Sequence, residues 1–194
     1  MEFPYKTRLC DTESLQILHI GPSSEMPFYL FADVLDELVF YANDKNAFGL
    51  LVGNAFLDAD RKIEASGENL PPEKTKTFDT DVPDFVEITA FKDVYPVKDA
   101  LDYAGYLRKM RNFRDTETDG LCLGAVCLMP QSADLTLECL YLMRTYFDLP
   151  NQILLFVSAD RKPPRAYQLN KKLDMVEVGL DIVTLKNETL PFDL

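Results

Sequence analysis

The sequence predicts an α/β fold in a single domain, with a mixed central sheet flanked by about three helices. Three observations predict it. Glycine-punctuated apolar runs at Ala47–Leu57 and Leu121–Leu128 have the character of buried central strands. Between such runs lie stripes of apolar residues at helical spacing. A length of 194 residues, 47% of them hydrophobic and with no long polar tract, supplies one sizeable core.

Along the chain, Leu15–Ile20 is a short strand closed by the turn-forming Gly21-Pro22-Ser23-Ser24. Phe28, Phe31, Val34, Leu35 and Leu38 then recur at helical spacing, with Asp33, Asp36 and Glu37 opposite, so a helix is expected over Phe28–Tyr41. It should end near Asn43-Asp44. The strand Ala47–Leu57 can return as Lys62–Ala65 after the Asp58-Ala59-Asp60 turn. Residues 68–84 hold prolines, charges and only isolated apolar side chains, the composition of a mobile loop.

Phe85–Phe91 alternates as a strand, and Pro96 suits the first position of a second helix. Val97, Ala100, Leu101, Ala104, Leu107 and Met110 form its stripe, and Arg108, Lys109, Arg111 and Arg114 cluster at its end. Those cations either complement the helix dipole or meet an acidic partner. After the buried strand Leu121–Leu128, Ser132 is placed to cap a third helix reaching about Phe147, with Leu135, Cys139, Leu142, Met143 and Tyr146 on its apolar face. Gln152–Val157 and Arg165–Leu169 read as two more strands, joined through Pro163-Pro164. Met175–Leu185 reads as a strand or two near the sheet edge, and the tail 187–194 as frayed.

Composition narrows the function. The apolar runs fall well short of the roughly 20 residues that span a bilayer. The first residues lack an apolar leader segment, so a soluble cytoplasmic protein is expected. Cys10, Cys122, Cys127 and Cys139 include no pair with the two-residue gap of a zinc knuckle or redox motif, and read as small hydrophobes in a reducing compartment. A formal net charge of -12 disfavours nucleic acid, whose phosphates are bound by Lys and Arg. With His19 as the single imidazole, a serine or cysteine hydrolase lacks its usual base. Phosphate-cradling, dinucleotide and deaminase motifs are absent.

One ordered set of motifs remains. Phe48-Gly49-Leu50-Leu51-Val52-Gly53 is followed by Gly124-Ala125-Val126-Cys127-Leu128-Met129-Pro130, then Ser132-Ala133-Asp134 with Glu138, then Phe156-Val157-Ser158-Ala159-Asp160. In this order the chain resembles the JAMM/MPN superfamily over about residues 27–170, with 171–194 peripheral. The resemblance places Cys127 and Met129 where active members carry two zinc-binding histidines, Asp134 at the aspartate ligand, and Asn46 at the glutamate base. Ser132 matches the serine that opens the following helix.

Active members need zinc with an open position for water and a carboxylate to take its proton. Thioether sulfur is a poor zinc ligand and an amide cannot act as base. The resemblance therefore implies a non-catalytic member that needs no cofactor and binds protein, as a scaffold or regulatory subunit. Its partner would be another MPN-like subunit or a second copy. The alternative is an enzyme or small-ligand protein that reuses the degenerate cleft. Phe40, Tyr41, Leu137, Leu140 and Tyr141 lie partly off the helical stripes, and either complete the core or form an exposed interface patch.

Overall fold

The computed structural model describes residue 9 and residues 15–43, 45–56, 83–110, 121–186 and 189–193. Their order is β1 (Leu15–Ile20), β2 (Phe28–Phe31), α1 (Ala32–Ala42), β3 (Ala47–Phe56), β4 (Phe85–Pro96), α2 (Ala100–Lys109), β5 (Leu121–Met129), α3 (Leu137–Tyr146), β6 (Ile153–Ser158), β7 (Arg165–Leu169), β8 (Met175–Val178) and β9 (Leu180–Leu185). The expected return strand Lys62–Ala65 and nearly all of the expected loop 68–84 lie outside the described residues, as do Arg111 and Arg114.

Among the described residues the nine strands form one sheet in the order β1-β9-β2-β4-β3-β5-β6-β7-β8. It is mixed. β2 runs parallel to β4 and β9, and β5 runs parallel to β6, while the other neighbours are antiparallel. Alternation along the central strands sends neighbouring residues to opposite faces. Leu51, Val126, Leu128 and Leu155 pack on one side with Val34, Leu35 and Leu38 of α1. Leu50, Ala125, Cys127 and Leu154 pack on the other with Tyr103 and Leu107 of α2 and Leu142 and Met143 of α3. The result is a three-layer arrangement with a separate apolar core on each face of the sheet.

Gly124 decides which face receives which residue of β5. Its φ of +118° is open to glycine, and a Cβ there would lie 1.9 Å from the Ile153 carbonyl oxygen. Opposite it, the β3–β5 register slips between Leu51 and Val52. This irregularity puts Leu123 and Val126 in the same core although they are three residues apart. Ala125, Cys127 and Met129 then all face α2 and α3.

Three helix starts differ from expectation, each for a local reason. Phe28–Phe31 is a strand because its backbone is taken by parallel ladders on both sides, Leu30 opposite Ile88 of β4 and Ile182 of β9. Four consecutive apolar residues fit either period, and pairing with two neighbours decides. Pro96 ends β4 opposite Ala47, and α2 begins later because Asp99 accepts hydrogen bonds from the Leu101 and Asp102 N–H groups, each at 3.0 Å. Likewise Thr136, not Ser132, caps α3, accepting from the Cys139 N–H at 3.4 Å.

The C-terminal strands bracket the sheet, with β8 at one edge and β9 one strand in from the other. The segment 189–193 is docked rather than frayed. Phe192 is buried in the α1-side core, and Arg161 pairs with Asp193 at 2.7 Å. Among the described residues no helix is long and apolar enough to cross a membrane.

Candidate functional site

β5 and β6 are parallel neighbours, with Met129 opposite Ser158, so their C-terminal ends open side by side. The starts of α2 and α3 reach the same place, and between these elements lies a cleft of about 550 Å³. Asn46, Cys127, Met129, Ser132 and Asp134 all line it. Five positions spread over 89 residues of sequence, from Asn46 to Asp134, thus meet at one site. Such crevices beyond the carboxyl ends of strands are where α/β sheets hold ligands.

Their environments differ. Cys127 and Met129 form the floor, each only 6% exposed. Burial, and then the neighbouring Cys139, push the Cys127 thiol well above its usual range, so it stays a neutral thiol. Leu128 between them belongs to the opposite core and takes no part. Asn46 sits on the exposed rim, where its backbone carbonyl accepts from the Val97 N–H at 3.3 Å. The Asp134 side chain is fully exposed and 4.0 Å from an Arg165 guanidinium nitrogen, a loose surface pair.

Ser132 belongs to a network that the motifs did not reveal. Its N–H and its hydroxyl both donate to Asp160, at 3.0 and 2.9 Å, while the Lys162 ammonium donates to its Oγ at 2.7 Å. Ser158 adds a donor to Asp160 at 2.5 Å. The Ser158 hydroxyl, followed by the Ser132 N–H, holds the Asp160 carboxyl far below the ordinary range. Such a carboxylate is a poor base. It ties the loop after β5 to the end of β6, and Lys162 stands 3.6 Å from it. The signal in the sequence was Ser158-Ala159-Asp160 at the end of a buried strand, read only as a motif match.

Zinc does not fit this donor set. Among the described residues no group of three His, Cys, Asp or Glu side chains is placed to hold a metal ion. His19 lies on β1, far along the sheet, and faces Asp181 of β9 across the strand pair at 2.7 Å. Asp134 has a fully exposed side chain beside the Arg165 cation.

A scan against protein-family models finds no match for this chain, and a search of curated proteins finds none either.

The five interface candidates divide. Phe40, Tyr41, Leu137 and Tyr141 are exposed, by 75, 49, 80 and 42% respectively, whereas Leu140 is half-buried. They do not form one surface, because α1 and α3 cover opposite faces of the sheet. On the α1 side, Tyr41 packs edge-on against both Phe40, at 6.0 Å, and Phe91 of β4, at 5.6 Å. On the other, Arg108 at the end of α2 is engaged by the hydroxyls of Tyr146 and Tyr141.

Proposed function

We propose that this chain is a catalytically inactive MPN-like protein that works by binding a protein partner, as a scaffold or regulatory subunit. The observation that carries the reading is the aromatic ledge on α1. Phe40 is a large aromatic side chain that a buried stripe leaves unexplained, and its ring is braced by Tyr41, which is braced in turn by Phe91. Exposed aromatics held in fixed orientations lose little conformational freedom on binding and are enriched among the residues that dominate interfaces. The donor chemistry of the cleft adds support, since a neutral buried thiol, a thioether and an amide supply neither a water-activating metal site nor a base.

A second reading rests on the cleft itself. Met129 does not fill it, and about 550 Å³ is within the range that small ligands occupy. One experiment separates the two. The protein is purified from its native host with whatever co-elutes, and Phe40→Asp is compared with the wild type by size-exclusion chromatography with light scattering. Loss of association with an unchanged circular dichroism spectrum is expected. A wild-type protein that is monomeric, captures no protein, and is stabilised by a small molecule would replace the adaptor reading with the ligand-binding one.

A further inference from the structure

The floor of the cleft gathers sulfur. Cys127 and Met129 alternate on β5 and leave the same face of the sheet, and Cys139 comes over them from the first turn of α3. All three line the cleft, with 6, 6 and 4% exposure. Cys127 and Cys139 are free thiols that belong to one core cluster beneath the cleft. Thr136 holds Cys139 from two directions, accepting from its N–H at 3.4 Å and directing its own hydroxyl at the sulfur, 3.5 Å away.

Read as zinc chemistry, this set is defective. Read by donor softness, it is coherent. Thiolate and thioether sulfur select soft cations, copper(I) above all, whereas zinc sites draw on imidazole and carboxylate as well as thiolate. We propose that Cys127, Cys139 and Met129 form a binding site for a soft monovalent cation of the copper(I) class. Each cysteine releases a proton to solvent and binds as thiolate, and Met129 donates a thioether lone pair. Two thiolates and one monovalent cation leave a single negative charge, which the Thr136 hydroxyl, directed at the Cys139 sulfur, faces. The cation arrives and remains in its reduced state, so no electron is transferred. The site goes beyond the adaptor reading and does not rest on it.

The test uses the full chain, reduced and metal-free under anaerobic conditions, titrated with copper(I) against bicinchoninate. One equivalent should be retained against the competitor, with sulfur as the nearest neighbours in X-ray absorption. Cys127→Ser and Cys139→Ser should each weaken retention by on the order of 100-fold or more, since even changes outside the ligand shell cost about 10–100-fold. The volume-conserving Met129→Leu should weaken it by about 10-fold, and Cys122→Ser should leave it unchanged. If the serine variants fail to fold, Met129→Leu and the wild-type absorption spectrum decide. Failure to compete, retention that survives both serine substitutions, nitrogen or oxygen as the main scatterers, or full affinity in Met129→Leu would each overturn the three-sulfur site.

Discussion

Met129 shows how a side chain can be legible in identity and illegible in role. Its place in the motif was visible because Gly124 and Pro130 frame it, yet only the fold reveals that it is both buried and at the wall of a cleft. Large-to-small changes at buried positions cost about 2–5 kcal/mol, and the cost falls where part of the side chain already lacks packing partners. Met129→Ala should therefore destabilise by about 2–3 kcal/mol, near the lower end, measured by urea unfolding with an unchanged slope. A neutral result would show the side chain to be solvent-facing. Asp160 is the converse case. Its partners are Ser158, two residues away, and Ser132, 28 residues away. Side-chain hydrogen bonds at that separation leave no period in a sequence, so Ser132 read as a helix cap when it is a donor to another loop.

At the scale of elements, the strands were legible: Leu15–Ile20 and Arg165–Leu169, bounded in the sequence by the turn at Gly21-Pro22 and by Pro163-Pro164, are strands with those bounds, and the alternating Phe85–Phe91 lies in β4. Helix starts were not, because each turned on a competition. Phe28–Phe31 was decided by neighbouring strands, and α2 and α3 by whichever residue reached the free N–H groups of the first turn, Asp99 and Thr136. The link between β5 and β6 is an electrostatic one with a testable pH dependence. The Asp160 carboxyl is held below its unfolded range by the Ser158 hydroxyl and the Ser132 N–H, so its contribution is present above that range and is lost as pH falls. An unfolded aspartate titrates near pH 4. The wild type should be more heat-stable than Asp160→Asn at pH 7, and the gap should shrink steadily below about pH 4. A gap that is constant down to the acid limit would mean that the carboxylate charge contributes nothing and that only the geometry of the loop matters.

Across the whole molecule, the feature furthest from sequence reading is the way the end of the chain closes the sheet. The motif resemblance spans about residues 27–170, but β9 inserts between β1 and β2, pairing antiparallel with one and parallel with the other. Nothing local in Leu180–Leu185 announces a partner some 150 residues earlier, such as Leu30 beside Ile182. Leu180, Ile182, Val183 and Phe192 are all buried in the α1-side core, at 1, 0, 2 and 5% exposure. Full burial of such a side chain contributes roughly 1.5–3 kcal/mol, so the four together contribute about 6–12 kcal/mol. That is comparable with the entire stability of a typical domain, about 5–15 kcal/mol. The fragment 27–170 should consequently fail to fold alone, giving no cooperative thermal transition by circular dichroism, while the full chain gives one. Adding a synthetic peptide of residues 171–194 should restore part of that transition if β9 can enter its slot from outside. A fragment that unfolds cooperatively near the full-length midpoint would show that residues 27–170 are self-sufficient and that β1 and β9 are an appendage to them.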